Sequence, residues 1–174
     1  AAEDPAKFVA PEIDERAAAA MCYTSGTTGK PKGVVYSHRA VAVHSMGAAM
    51  TDTLGICEGD VVLPIVPMFH ANAWGLPFAC ALVGAAQIFP GPFLDPENVL
   101  DLLERERVTV TGGVPTVWLG MLQLLDKSPG KHDLSRIRSV LVGGSAAPRS
   151  LIQGLQERHG LRMLHSWGVT ELAP

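Results

Sequence analysis

Short apolar segments alternate with longer amphipathic segments along most of this 174-residue chain, and this alternation limits the possible folds most strongly. The apolar segments have the length and the β-branched content of buried strands; they are "DVVLPIV", "AAQIF", "VTVTGG", "IRSVLVGG" and "LRMLHSW". The segments between them predict helices; they are "AWGLPFACALVG", "LDPENVLDLLERERV", "TVWLGMLQLL" and "RSLIQGLQERH". Strands separated by helices form parallel β-α units, so the predicted fold class is α/β with a layered sheet.

Residues at the ends of the predicted helices support their boundaries. Asp95 stands at an N-cap position with Pro96 at the first helical position, and Pro115 and Pro148 open two further helices. Gly160 follows the last helix at the position where a left-handed residue ends a helix. The helix boundaries are therefore predicted independently of the apolar pattern.

The N-terminal region is predicted to contain a β-hairpin. The apolar runs "AAAMCY" and "GVVYS" flank a Gly-rich stretch, which would form the tip between two strands. Ser37 is the predicted N-cap of a helix through "HRAVAVHSMGAAM". Residues 1–17 are polar with two prolines and little periodicity, so they are predicted to be a lead-in or linker before an ordered region, residues 18–174.

Composition argues against several classes of partner. The net charge of -3 and the scattered Lys and Arg residues argue against a nucleic-acid partner, because backbone phosphates require a concentrated basic face. The three cysteines have no CxxC spacing, which predicts reduced thiols in a cytoplasmic protein. No apolar run has the length that a membrane-spanning helix needs. Any anion site must therefore be local.

The Gly-rich stretch between Thr24 and Gly33 has the chemistry of a polyphosphate site. Consecutive backbone amides, several hydroxyls and an ammonium from Lys30 or Lys32 can surround phosphate oxygens on several sides. It is not a Walker A loop, because Pro31 stands where Ser or Thr is required. The Gly, Ser and Thr content of this stretch alone is also typical of an ordinary flexible turn. The prediction of a polyphosphate site therefore rests on the complete string of residues.

Four motifs in order give the sequence a family resemblance. "YTSGTTGKPKGVVYSHR" resembles the phosphate-binding motif of the adenylate-forming superfamily, which includes acyl-CoA synthetases, luciferases and peptide-synthetase adenylation domains. "PMFHANAWGLPF", "GGSAAP" and "SWGVTE" are similar to its acyl-site, adenine and Thr-Glu motifs. The sequence between them most resembles medium- and long-chain fatty acyl-CoA ligases. Ligases of small thioether or aryl acids also fit.

The resemblance implies a two-step reaction that uses ATP, Mg²⁺ and coenzyme A. A carboxylate, here predicted to be a fatty acid, would attack the α-phosphate, and coenzyme A would then displace AMP. Thr170 would contact the α-phosphate, Glu171 would hold Mg²⁺ and Lys32 would supply supporting charge. The residues implied for the β- and γ-phosphates are Thr24, Ser25, Gly26, Thr27, Thr28 and Gly29. No catalytic triad is expected, because the attacking carboxylate is already ionised.

The same resemblance assigns the adenine side. Trp167 and Gly168 would flank one face of the base. The residues implied for the other face are Gly143, Gly144, Ser145, Ala146, Ala147 and Pro148. Trp167 replaces the commoner tyrosine, and His165 and Ser166 stand where Gln or Asn is frequent. The side chain that recognises the adenine amino group therefore stays open.

The acyl side depends on residues that a pattern alone would assign to structure. A single His after an apolar run is usually structural, and a Trp in an apolar helix is usually core. The resemblance instead implies that His70 lies where the acyl carboxylate meets the α-phosphate, with Trp74, Val114 and Pro115 around the acyl chain. His44, like the remaining histidines, lacks metal-ligand spacing and is predicted to be a surface or capping group.

Complete members of the superfamily are longer and carry a mobile C-terminal domain with a catalytic lysine. The chain is therefore predicted to be a central part of the large N-terminal domain, with nucleotide-site geometry but little turnover by itself. The chain would expose faces that normally contact the rest of that domain, and two copies could form a homo-oligomer through these faces. Two alternatives stay open: a nucleotide-binding module without catalysis, and a peptide-synthetase-like or luciferase-like member.

Overall fold

Two sheets organise the chain, an antiparallel hairpin and a five-stranded parallel sheet. The computed structural model describes residues 7–26 and 29–172. In the hairpin, β1 (Ala18–Thr24) pairs with β2 (Lys32–Ser37), and Thr24 stands opposite Lys32 at the end near the Gly-rich stretch. The predicted hairpin is confirmed.

The hairpin leads directly into α1 (His38–Ala49). The Ser37 hydroxyl accepts a hydrogen bond of 3.1 Å from the backbone N–H of Ala40, as predicted for an N-cap. Helix α1 packs against the later helix α3 (Leu76–Val83), which lies on one face of the parallel sheet. The cap therefore fixes the point at which the chain passes from the hairpin to the helical layer.

The parallel sheet has the strand order β4-β3-β5-β6-β7. Its strands are β3 (Val61–Pro64), β4 (Ala86–Gln87), β5 (Val110–Gly113), β6 (Ser139–Val142) and β7 (Met163–His165). Every pairing in it is parallel, which confirms the predicted α/β class. The chain order reverses between β3 and β5, and such switch points create a crevice beyond the carboxyl ends of the strands.

The helices after β4 have the predicted ends. They are α4 (Pro96–Arg105), α5 (Pro115–Lys127) and α6 (Arg149–His159), and a 3-10 helix (Thr170–Leu172) follows β7. Asp95 accepts a hydrogen bond of 3.1 Å from the N–H of Asn98, and Gly160 ends α6 with a φ of 67°. The capping residues thus predicted these boundaries correctly.

One predicted helix is wrong at its start. The pattern predicted a helix through "AWGLPFACALVG", but α3 begins at Leu76, and α2 (Ala71–Trp74) is a single turn of left-handed backbone with φ between 44° and 56°. Left-handed backbone costs roughly 1–2 kcal/mol per residue with a side chain. Gly75, with a φ of 68°, joins this turn to α3, where Pro77 is in the first turn. Trp74 therefore projects from a strained turn.

Apolar clusters cover both faces of the parallel sheet. Helices α4, α5 and α6 form the larger cluster, in which the fully buried Trp118 donates a 3.0 Å hydrogen bond from its indole to the carbonyl of Gly113. Helices α1 and α3 contribute to the smaller cluster around Val62 and Val110 on the other face. Burial on both faces explains why the strands are almost continuously apolar in sequence.

The cysteines and the helices agree with the simpler expectations from composition. Cys22 and Cys80 are buried, Cys57 is exposed, and all three are free thiols. Within residues 7–26 and 29–172, no helix combines the length and hydropathy needed to cross a bilayer.

The buried Asp60 carboxylate and its ion pair with Arg138 connect the residues that stand just before three strands of the parallel sheet. The Asp60 carboxylate, 4% exposed, accepts a 2.6 Å hydrogen bond from Arg138, one of 2.7 Å from the Thr109 hydroxyl and one of 2.9 Å from the N–H of Cys57. Burial alone would raise the pKa of Asp60, but these donors, Arg138 first, hold that pKa well below its usual range. Asp60 is thus ionised at neutral pH.

We expect Asp60→Asn to lower the free energy of unfolding by about 1.5–3 kcal/mol, because the buried side chain loses its charge-assisted hydrogen bonds from Arg138. The matched control is Asp126→Asn, which breaks an exposed pair with Arg158 and should cost much less, because solvent screens exposed pairs. Urea unfolding at neutral pH measures both values. Equal losses in the two variants would contradict a structural role specific to Asp60.

Candidate functional site

A cavity of about 910 Å³ lies at the carboxyl ends of β6 and β7, under the tip of the hairpin. Among the parts of the chain that line it are the hairpin, the left-handed turn α2 with the preceding His70, and the segment after β7. The residues they contribute are Thr24, Ser25, Gly26 and Lys32, then His70, Ala71 and Trp74, and then residues 166–172. The volume is in the range of small-molecule sites.

The hairpin supplies hydroxyl, amide and ammonium groups. Thr24 and Lys32 are register partners at the end of the hairpin, and both line the cavity. Gly26 has a φ of 69°, and a Cβ placed there would lie 2.2 Å from the Lys30 carbonyl oxygen. Only glycine fits that turn. The local backbone therefore requires the glycine that the sequence has in this loop.

Two glycines after β6 allow Trp74 to approach the sheet closely. A Cβ on Gly143 would lie 3.0 Å from the Ser166 hydroxyl and 3.4 Å from the Trp74 indole. A Cβ on Gly144, where φ is 81°, would lie 3.2 Å from a methyl carbon of Val114. Side chains at these two positions would crowd the indole and Val114. The small residues thus bring the strand ends and the left-handed turn into contact.

The segment after β7 presents an aromatic ring and a carboxylate. Trp167 is 81% exposed, and Glu171 is also exposed on the 3-10 helix. The Tyr36 hydroxyl donates a 2.7 Å hydrogen bond to the carbonyl of Thr170, and the N–H of Leu172 donates to the carbonyl of Val169. These contacts hold the backbone while leaving the Glu171 side chain at the cavity.

The donor set at the cavity suits a magnesium ion held partly by phosphate. Among the residues with described positions, no group of three or more His, Cys, Asp or Glu side chains could form a complete protein site. Glu171 still offers one carboxylate next to the Thr170 hydroxyl and the loop. Mg²⁺ is commonly bound by one or two carboxylates together with substrate phosphates, so Glu171 fits such an ion.

Most of the predicted site residues meet at this cavity. Those that line it are Thr24, Ser25, Gly26, Lys32, His70, Trp74, Gly144, Trp167, Gly168, Thr170 and Glu171. Gly143 and Val114 lie directly behind its wall through their neighbours Trp74 and Gly144. Thr27 and Thr28 lie outside the described residues.

The other predicted residues do not line the cavity; they are Gly29, Pro115, Ser145, Ala146, Ala147 and Pro148. Pro115 is buried in the first turn of α5, where its ring contributes to that helix start. Ala147 packs against the larger core cluster, and its N–H lies 3.5 Å from a ring nitrogen of His165. Part of the "GGSAAP" loop is therefore a rim around the cavity.

His44 corrects one prediction. It is not a surface or capping group: it lines the cavity, and its Nε2 lies 3.2 Å from the carbonyl oxygen of Trp74, to which the Nε2–H tautomer donates. Burial lowers the pKa of His44, and the contact with that carbonyl opposes the effect. Gly47 and Ala48 line the cavity from the same helix. Their i, i+3, i+4 spacing from His44 was the available signal.

Further lining residues carry no motif in the sequence. They are Asp52, Thr53, Leu54, Leu141 and Leu164. Asp52 to Leu54 follow α1, whereas Leu141 and Leu164 belong to β6 and β7. Their positions come from the packing of α1 over the sheet, so no local pattern could have assigned them.

Comparisons with known proteins agree with this geometry. The model of the AMP-binding enzyme family matches residues 1–174. A long-chain-fatty-acid–CoA ligase of Thermus thermophilus is 54% identical over 162 residues, which are 93% of this chain and 29% of that protein. A 3-methylmercaptopropionyl-CoA ligase of Ruegeria pomeroyi is 47% identical over 169 residues, or 97% of this chain and 31% of that protein.

A solved structure shows the same architecture. The o-succinylbenzoate coenzyme A synthetase of Bacillus subtilis, in complex with AMP, superposes with a TM-score of 0.78 at 32% identity, over 95% of this chain and 34% of that one. The chain thus spans about a third of the length of the proteins that it matches.

The half-buried His44 predicts a pH dependence of stability. Because its pKa is lower in the folded chain than the usual 6.5, the unfolded chain binds the proton more tightly, and stability falls as the pH drops through that value. His44→Gln should therefore lose less unfolding free energy than the wild type between about pH 8 and pH 5. His38→Gln, at the start of the same helix, is the control. Parallel pH profiles for wild type and His44→Gln would refute the assignment.

Proposed function

The chain belongs to the family of AMP-binding enzymes, and on that basis we propose that the protein is an AMP-forming acid–thiol ligase that joins a carboxylic acid to coenzyme A. The observation that carries the proposal is the shared cavity. One space is lined by Thr24 and Lys32 from the hairpin, Glu171 from the 3-10 helix and Trp74 from the left-handed turn. A phosphate loop, a carboxylate for a metal and an apolar wall are what such a ligase needs.

In the first step, a carboxylate oxygen of the acid would form a bond to the α-phosphorus of ATP, and the bond from that phosphorus to the pyrophosphate oxygen would break. The attacking oxygen is already an anion, so no residue has to remove a proton. Negative charge increases on the phosphate oxygens instead. Coenzyme A would then displace AMP as its thiol sulfur forms the thioester.

The residues of the chain would bind the phosphates in this step. The Gly-rich loop would bind the β- and γ-phosphates, and Lys32 would add a positive charge. The loop residues are Thr24, Ser25, Gly26, Thr27, Thr28 and Gly29. Thr170 would donate to the α-phosphate. Glu171 would hold Mg²⁺, which neutralises charge on the phosphate oxygens when it is bound. His70 would lie between the acyl carboxylate and the α-phosphate.

The base of the nucleotide would lie between the "GGSAAP" loop and the segment after β7. The exposed indole of Trp167 offers a flat apolar face at the cavity, and Gly168 leaves the adjacent backbone accessible. Gly143 and Gly144 would border the opposite side, with the rim residues Ser145, Ala146, Ala147 and Pro148 beyond them. Adenine would thus be held by one ring and by backbone.

The acid that we propose is a fatty acid. Apolar side chains from several elements line the same cavity as Trp74, including Leu54, Leu141 and Leu164. The Thermus thermophilus relative, at 54% identity, is named for long-chain fatty acids, which supports this choice. The Ruegeria pomeroyi relative, at 47%, is named for a short thioether acid and favours a second candidate substrate class. Because ATP and coenzyme A are cytoplasmic metabolites, the proposal places the protein in the cytoplasm.

Acid-dependent ATP–pyrophosphate exchange tests the proposed adenylation. In the complete protein, we expect exchange with a fatty acid and a fall of about 100-fold or more in Glu171→Gln, because the neutral amide no longer holds the metal against the phosphates. The matched control is Glu157→Gln on the exposed face of α6, which should leave the rate unchanged.

The choice of acid separates the alternatives in that assay. Exchange with 3-methylmercaptopropionate in place of fatty acids would select the second substrate class, and exchange with amino acids would indicate a peptide-synthetase-like member. ATP binding without exchange for any acid would overturn the ligase proposal and leave a nucleotide-binding module.

The two tryptophans at the cavity should have separate effects on kinetics. Trp74→Ala is expected to change the preference among acyl chain lengths by about 10-fold with little change in the KM for ATP, because an aromatic side chain at the cavity wall is replaced by space. Trp167→Ala is the reciprocal control: it should raise the KM for ATP and leave the chain-length preference intact. A higher KM for ATP in Trp74→Ala would contradict its assignment to the acyl side.

A further inference from the structure

We propose that Tyr36 is a positioning residue that holds the Thr170–Leu172 helix, and with it Glu171, against the hairpin that carries the phosphate loop. The inference rests on the proposed function, since it concerns the nucleotide site described above. It adds a role for Tyr36, which belongs to the Gly-rich motif but has no function assigned there and does not line the cavity.

The contact joins two distant parts of the chain. Tyr36 is 3% exposed, and its hydroxyl donates a 2.7 Å hydrogen bond to the Thr170 carbonyl, 134 residues further along the sequence. The three-residue helix that contains Thr170 has no buried residue of its own. Apart from the bond between Leu172 and Val169, it has little that fixes its position. A buried phenol therefore supplies the long-range restraint.

One face of the hairpin carries both the side chains that would bind phosphate and the Tyr36 hydroxyl that restrains the helix. Side chains alternate along a strand, so Lys32, Val34 and Tyr36 of β2 point to the same side, and Thr24 of β1 pairs with Lys32. Lys32 and Tyr36 are about 13 Å apart along the strand at the usual rise per residue. The strand thus connects the phosphate loop to the Glu171 helix as one rigid element.

The environment of Tyr36 keeps its hydroxyl a donor. Burial, with smaller contributions from Cys22 and from the Glu171 charge, raises the pKa of Tyr36 to about 12. The phenol is therefore protonated throughout the pH range of ordinary assays, and the hydrogen bond to Thr170 is always available.

The matched variants are Tyr36→Phe and Tyr23→Phe in the complete protein. Phe retains the ring of Tyr36 but removes the hydroxyl that donates to the Thr170 carbonyl. Tyr23 lies on the neighbouring strand with 68% of its surface exposed, so the same substitution there leaves the contact intact. The pair separates the hydrogen bond from the general effect of losing a hydroxyl.

The first measurement is amide hydrogen exchange followed by mass spectrometry, which does not depend on activity. Tyr36→Phe should increase exchange by about 5- to 10-fold in residues 163–172, because the lost bond leaves the Thr170 carbonyl unsatisfied. Residues 110–127, which contain β5 and α5, serve as the internal reference and should not change. Tyr23→Phe should match the wild type in both segments.

The second measurement is the Mg²⁺ concentration that gives half-maximal pyrophosphate exchange. We expect it to rise about 5- to 10-fold in Tyr36→Phe, since Glu171 is less well placed, while the KM for the acid stays within about 2-fold. Saturating Mg²⁺ should restore most of the rate. A purely structural loss would lower the rate at every Mg²⁺ concentration.

The outcomes separate the inference from the proposed function. If the two variants have equal amide hydrogen exchange and need equal Mg²⁺ concentrations for pyrophosphate exchange, the role of Tyr36 alone is overturned. Faster amide hydrogen exchange in residues 110–127 as well would show that Tyr36 is only a core residue. Faster amide hydrogen exchange in residues 163–172 with an unchanged Mg²⁺ dependence would show the same. A wild-type protein that binds no ATP·Mg²⁺ would remove the proposed function and this inference together.

Discussion

The parallel pairing of β3, β5, β6 and β7 is the constraint on which the site depends. Val110 pairs with both Val62 and Ser139, and Val140 pairs with Met163, so the four strands end at one edge of the sheet. The segments that follow these strands carry the left-handed turn, the two glycines and the 3-10 helix. Parallel register therefore brings together residues that are up to a hundred positions apart in sequence.

The hairpin belongs to a different sheet, so strand pairing does not fix its position over that edge. Its inner face packs through side chains instead, and Cys22 and Tyr36 are the buried residues of its two strands. Ser37 then caps α1, which packs on α3. The Gly-rich loop is thus placed by a few side-chain contacts and one helix, whereas the other half of the cavity is placed by backbone hydrogen bonds.

The sequence predicted local features well, because their causes are local. The caps at Ser37, Asp95 and Gly160 act through neighbouring backbone groups, and each was confirmed. The site contacts of His44 and Tyr36 were not predicted. Both contacts depend on tertiary packing that brings a side chain to the carbonyl of a distant residue. Motifs thus located the cavity, whereas the residues that support it required the structure.

The left-handed turn shows why the backbone around Trp74 in particular escaped prediction. Four consecutive residues with side chains at positive φ are unfavourable, and such backbone persists only where its surroundings determine it. Here Ala73 is fully buried, the Trp74 carbonyl is bonded by His44, and the indole lies against Gly143. Periodicity detects none of these. Because three independent contacts oppose the strain, the position of Trp74 is set by the core rather than by a freely moving loop.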